Sequence, residues 1–201
     1  MNSTLLFSFA ICLVLCIPDA SRGQATDAPV YKDGDWWRVK VEVVQKQGVS
    51  RTGQCNEMYS EYLVRWTSSG VKVYAIEGKA ETELDCPSVP RDLLNIEPNS
   101  MRWLKFPLAL KQSWNFDYQR RITGARQPVS ATAHNTVVSW EKVSTSKGEL
   151  DVFKIERTIG GDQTSLYHVW YSPTTKSIIR FQRRASISDR TVTLVDFNVN
   201  Q

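Results

Sequence analysis

Apolar and polar residues alternate with a period of two along most of this sequence, and that property limits what the chain can fold into. In Trp37-Arg38-Val39-Lys40-Val41-Glu42-Val43 the odd positions are apolar and the even ones charged. Ser113-Trp114-Asn115-Phe116-Asp117-Tyr118-Gln119 sets three aromatics against polar neighbours in the same way. Successive side chains of a strand point to opposite sides, so each such segment has one apolar and one wet face. Strands of that kind pair antiparallel, because parallel sheets are covered on both faces. Residues 59–67, 71–77, 132–143, 150–158, 166–172, 177–185 and 191–199 read as further strands, rich in β-branched and aromatic residues.

Short polar turns separate these segments. Ser68-Ser69-Gly70, residues 144–148, Gly160-Gly161-Asp162, residues 173–176 and Ser188-Asp189-Arg190 are of hairpin length, and Asp33-Gly34-Asp35 turns the chain into its first strand. Residues 78–101 differ: they hold Cys86, Pro87, Pro90 and Pro98, and read as one long Pro-rich excursion with room for a short helix near 91–96. The expected fold class is all-β, a single curved antiparallel sheet forming a half-barrel or open barrel, largely a meander. No heptad, long-period repeat or linker divides it.

Leu5 to Ile17 is an apolar run with no charge. It is shorter than the ~20 residues a membrane helix needs, and it matches the apolar core of a signal peptide. Pro18 ends it, and Gly23 and Ala25 put small residues at −3 and −1 of a cut after Ala25, with Gly23 as an alternative site. The expected organisation is a signal peptide over 1–25 and one β-sheet domain over 26–201. No later run approaches membrane length. The expected location is therefore outside the cytosol, in the periplasm or, as the alternative, secreted. Cys12 and Cys16 follow Ile11 and Leu15, not the small residue that a lipid-attachment site requires. Cys55 and Cys86 remain, and in an oxidising compartment two thiols of one domain pair. Such a disulfide would tie the excursion to the sheet and add about 3–4 kcal/mol by the chain-entropy account.

Motifs that carry chemistry are missing. The two histidines, His134 and His168, each sit inside a strand-like stretch, with no HExxH and no serine in a G-x-S-x-G elbow. Asp33-Gly34-Asp35 runs straight into Trp36-Trp37, which spoils it as a calcium loop. The sequence thus gives no catalytic residue, no metal ligand and no cofactor. The formal charge is +4, with basic residues gathered in 102–126 and 176–190. Nucleic acid is a poor partner for an exported chain of so small a net charge, and the alternation sets the aromatics on the opposite face from several of the charges. Lipid headgroups or an envelope polymer suit such a patch better. Seven tryptophans are spread over nearly every strand, either as core or as the lining of an apolar groove.

Three segments together resemble a known family. Leu108-Ala109-Leu110-Lys111-Gln112-Ser113-Trp114-Asn115-Phe116-Asp117-Tyr118 resembles an L-x-L-K-x-G-x-S-W-x-Y segment. Residues Gly148 to Arg157 resemble a G-x-F-x-A-x-K-I-E strand, and Trp170-Tyr171-Ser172-Pro173 with Ile178-Ile179-Arg180-Phe181 is similar to a W-Y-S-P hairpin. These belong to bacterial periplasmic β-domains known as domain of unknown function 3108. The resemblance spans roughly residues 103–185, with Gln112 where a glycine is usual. It implies a curved antiparallel sheet like that of lipoprotein carriers, and no catalytic residues. Gly34-Asp35-Trp36 also matches the G-x-W opening of lipocalins, although the C-terminal helix of that fold has no counterpart here.

The leading reading is a non-enzymatic, exported binding or carrier domain for an apolar, lipid-like ligand, with Trp114, Phe116 and Tyr118 as candidate binding residues. The alternatives are an envelope domain that meets another protein or an anionic polymer, and a hydrolase with dispersed catalytic residues. Intact mass of the exported protein checks both processing and pairing. It should match a chain beginning at Thr26, two hydrogens lighter before reduction than after. A chain still beginning at Met1, a lipid on Cys16, or two free thiols contradicts this.

Overall fold

The computed structural model describes residues 25–45, 59–84, 103–120, 127–160, 165–185 and 188–200. The signal segment, Cys55, Cys86 and the short helix expected near 91–96 lie outside the described residues. Ten strands form one antiparallel sheet: β1 Trp36–Gln45, β2 Glu61–Thr67, β3 Gly70–Glu77, β4 Ala80–Glu83, β5 Ser113–Arg120, β6 Val129–Thr145, β7 Gly148–Ile159, β8 Ser165–Ser172, β9 Ser177–Arg184 and β10 Ser188–Asn198. Their order is β4-β3-β2-β1-β10-β9-β8-β7-β6-β5. The sheet is curved and open, as the expected fold class has it, and antiparallel throughout, as the alternation implies. The chain starts in its interior and steps outward to β4. It crosses to the opposite edge at β5 and returns strand by strand to meet its own beginning.

Two expectations need correcting. β4 falls inside the stretch read as excursion. All four of its residues are exposed, so it carries no apolar signal. It is held by pairing to β3 and by ion pairs of Glu81 with Arg65 (2.9 Å) and Glu83 with Lys72 (3.1 Å). Ser188-Asp189-Arg190 is not a turn but the start of β10, paired with β9 and with the end of β1.

One face of the sheet, called inner below, carries the core. Trp37, Val39 and Val41 of β1 share it with Tyr62 and Val64 of β2, Ile155 of β7, Val169 of β8 and Val192 of β10. Residues 103–108 cross this face and add Trp103, Leu104 and Leu108, all buried. Trp103 packs on the rings of Tyr167 and Phe181, and Phe106 on Tyr171. The N-terminal segment joins them, since Thr26 and Leu108 exchange both backbone hydrogen bonds (3.0 and 2.9 Å).

Three bulges bend the strands, with Val138, Ile179 and Val195 as the extra residues. A bulge takes one residue out of the ladder and increases twist. The carbonyl of Val195 is then taken by Ser146 Oγ at 2.7 Å. Lys147 beside it bonds the Phe197 carbonyl (2.7 Å) and Asp196 (2.5 Å), so the tip of the long β6–β7 hairpin reaches back to β10. That lysine holds the Asp196 carboxyl below the ordinary aspartate range.

Asp35 is a buried carboxylate where the two ends of the described chain meet. Gly34, at φ 89°, supplies the left-handed turn that delivers it. Its Oδ1 accepts from the backbone N–H of Asn200 (2.7 Å) and from the Asn200 side chain (3.1 Å). Its Oδ2 accepts from the Lys32 N–H (2.9 Å) and faces Lys176 Nζ at 3.5 Å. Removing one partner of a buried ionic group leaves the others uncompensated, at about 3–5 kcal/mol. Asp35→Ala should lower the urea-unfolding free energy by that amount. A loss below about 1 kcal/mol would show that the clasp is dispensable.

Candidate binding face

The three candidate residues on β5 share the inner face, as their alternation requires. Trp114 is buried at 7% exposure, whereas Phe116 and Tyr118 are half-buried and lie stacked, with centroids 6.1 Å apart and planes 6° off parallel. Across the ladder Phe116 faces Ala133 and Tyr118 faces Ala131. Two large rings opposite two methyl groups leave this corner of the face thinner than the rest.

The other side of β5 is wholly polar. Ser113 bonds Thr136 (3.0 Å), Asn115 bonds His134 (2.6 Å), Asp117 accepts from Thr132 (2.7 Å) and Gln119 donates to Ser130 (2.7 Å). These four side-chain pairs fix the register, so the aromatic side cannot slip outward.

Trp114 is the first member of a row that sequence reasoning did not foresee. The row runs across the inner face from β5 to β1 as Trp114, Asn135, Arg157, Tyr167, Arg183, Arg190 and Val43, each opposite the next. It brings three arginines to the apolar side of the sheet. Arg157 is fully buried. Its Nε donates to Asn135 Oδ1 (2.5 Å), and its guanidinium lies 3.7 Å from the centre of the Trp103 ring. Asn135 in turn donates to the Trp114 carbonyl (3.2 Å). The bond to Asn135 and the aromatic face against the guanidinium offset part of the cost of burying this cation. Arg183 and Arg190 are half-buried. The available signal was parity: Arg157 follows Phe153 and Ile155 at even spacing, and Arg183 follows Phe181. Arg183 thus shares the face of Phe181, while Arg180 and Arg184 stand on the opposite face, as the alternation implies for several of the charges.

Six of the seven tryptophans belong to the core or pack against it, and Trp36 is half-buried beside the groove at β1–β4. Trp37, Trp103, Trp114 and Trp170 are buried, and Trp36, Trp66 and Trp140 half-buried. The histidines stand on the polar side: His134 pairs with Asn115 and His168 with Glu156 (3.3 Å). Among the described residues, no group of three or more His, Cys, Asp or Glu side chains gathers for a metal ion. A groove of about 450 Å³ lies beside β1–β4, lined by Trp36, Arg38, Leu63, Arg65, Lys79 and Glu81 among others. Its arginines are already paired, Arg38 with Glu61 (2.5 Å) and Arg65 with Glu81.

No protein-family model matches the chain, that of the resembled periplasmic domains included, and no curated protein matches it. Solved structures give fainter likenesses. A candidate lipoprotein from Parabacteroides distasonis aligns over 87% of this chain and 100% of its own, at 11% identity and a TM-score of 0.41. A candidate exported protein with a YmcC-like fold from Bacteroides fragilis covers the same shares at 10% identity and a TM-score of 0.36. The hypothetical lipoprotein YmcC of Escherichia coli K12 aligns over 84% of this chain and 89% of its own, at 11% identity and 0.35. Similarity at this level does not establish a shared fold.

The β5 side chains differ in what they cost to remove. Trp114→Ala should destabilise by about 3–5 kcal/mol, as large buried aromatics do. Tyr118→Ala should cost clearly less, because its ring is half in solvent. Denaturant unfolding of the two variants checks this, and equal losses would contradict the placement of Tyr118.

Proposed function

We propose that this protein is an exported, non-enzymatic binding domain whose inner face takes an apolar, lipid-like ligand at the β5 corner. The observation that supports the reading is the Phe116–Tyr118 pair: two stacked, half-exposed rings that continue the core outward over Ala131 and Ala133. Aromatic rings left partly wet at the margin of a packed face bind apolar matter cheaply, because their own ordering is already complete. Export rests on the apolar run from Leu5 to Ile17 and the small residues before Thr26; the periplasm, or the exterior as the alternative, is where such a ligand would be met.

A fluorescent fatty-acid titration tests the reading. Wild-type protein should bind the probe, and Tyr118→Ala should weaken it about five- to tenfold, the effect of losing part of one ring's buried area, with little change in the unfolding midpoint. Absence of binding, or binding indifferent to both Phe116→Ala and Tyr118→Ala, sinks it.

A second reading is docking of an envelope protein, and one feature favours it. β5 is an eight-residue edge strand with no proline, next to a single described neighbour. Such an edge offers a ladder to a strand from another chain.

A further inference from the structure

The two edges of this sheet are built differently. β4 is four residues long, wholly exposed and carries Glu81 and Glu83, the short, charged form that keeps an edge from pairing. β5 has eight residues, no proline and an unbroken register with β6 from Ser113–Thr136 to Arg120–Val129. Its open side is a ladder of defined phase. The Val137 N–H donates to the Gln112 carbonyl at 2.9 Å, which makes Ser113–Thr136 a non-hydrogen-bonded pair and Trp114–Asn135 a bonded one. Carried along the strand, this alternation turns the backbone groups of Trp114, Phe116 and Tyr118 toward β6. Those of Ser113, Asn115, Asp117 and Gln119 point away from it, and among the described residues no other backbone group bonds them.

The strand is also complementary to its own reverse. About a two-fold axis at Phe116, Ser113 opposes Gln119 of the other copy, Trp114 opposes Tyr118, Asn115 opposes Asp117, and Phe116 meets its counterpart. Directly opposed residues share a face, so aromatics meet on the inner side and polar groups on the outer. The outward backbone groups fall in phase as well, with Asn115–Asp117 and Ser113–Gln119 as bonded pairs. A one-residue slip would set the inner face of one copy against the outer face of the other. A two-residue slip either opposes the two Asp117 carboxylates or shortens the ladder. We propose that two copies of this chain join through β5, antiparallel about Phe116, into one continuous sheet. Asn115 Oδ1 and Asp117 Oδ1 are engaged within the chain by His134 and Thr132, which leaves Asn115 Nδ2 to donate to Asp117 Oδ2 of the other copy. The half-buried Phe116 ring is covered by its counterpart, so the apolar corner is shared between copies. A two-fold contact uses the same edge twice and closes, leaving only the blunted β4 edges. The inference stands on the edge alone, independent of any ligand, and assigns that edge one occupant.

The exported protein is tested by analytical ultracentrifugation and amide hydrogen exchange across the micromolar range. Wild type should sediment as a dimer. The amides of Asn115 and Asp117 should be protected in concentrated samples and exchange freely in dilute ones, while those of Trp114 and Phe116, bonded to β6, stay protected in both. Asn115→Asp sets carboxylates opposite each other at two places and should raise the dissociation constant about tenfold. Adding Asp117→Asn to that variant restores the complement and should return the constant to near its wild-type value. A monomer at every concentration, a dimer whose Asn115 and Asp117 amides exchange freely, or a dimer indifferent to Asn115→Asp overturns the inference. A monomer that gains this protection only with an envelope extract also overturns it and gives the edge to another protein. Fatty-acid binding by a monomer leaves the proposed ligand function standing. The wild-type exchange data decide the matter even if the variants do not fold.

Discussion

The pairing of β1 with β10 holds this molecule together. They run alongside each other from Trp36–Asn198 to Gln45–Ser188, with one register shift at the Val195 bulge. Everything else hangs from that seam: β2 to β4 on one side, β9 back to β5 on the other. At its base Asp35 binds the segment before β1, the segment after β10 and Lys176 of the β8–β9 turn. Trp37 Nε1 donates to the Thr175 carbonyl at 2.7 Å close by. Asp35 and the Trp37 indole are thus bonded where water is excluded, and those bonds offset the cost of burying them.

The inner face combines packing with charge. Sheet cores are normally apolar, yet this one carries three arginines in a single row. Arg157 is accommodated by Asn135 and Trp103, a local arrangement that also reaches the Trp114 carbonyl on β5. Three strands are coupled by that chain of contacts, so the buried tryptophan of the edge strand is positioned partly by a cation two strands away. Farther along the row Arg183 and Arg190 are half-buried, where Arg157 is fully buried.

Much of the architecture was legible in the sequence, because alternation is a direct record of which side of a strand faces water. β5 shows it best: its aromatic and polar sides were separable by position alone, and the cross-strand hydrogen bonds confirm the sorting. β4 was not legible, since Ala80-Glu81-Thr82-Glu83 has no apolar side and owes its conformation to partners on β2 and β3. Ser188-Asp189-Arg190 misled for a related reason: turn-forming residues sit in a strand whose neighbours on both sides dictate extension. The arginine row was hidden because charge outweighs parity when a sequence is scanned for polarity. Arg183 differs from the solvent-facing Arg184 only in its position along the strand.

The strand order also bears on how the molecule can assemble. β5 to β10 form a local meander, and β1 to β4 another, so each half can pair as soon as its own residues are available. The seam between them joins the first strand to the last. Until β10 is present, β1 and β9 each have an unpaired side in what will be the middle of the sheet. Completion therefore waits on the C-terminal residues, a non-local closure of the kind that slows folding. A chain cut short before Ser188 would be no smaller version of this fold: it would present two long edges suited to pairing with each other in other copies.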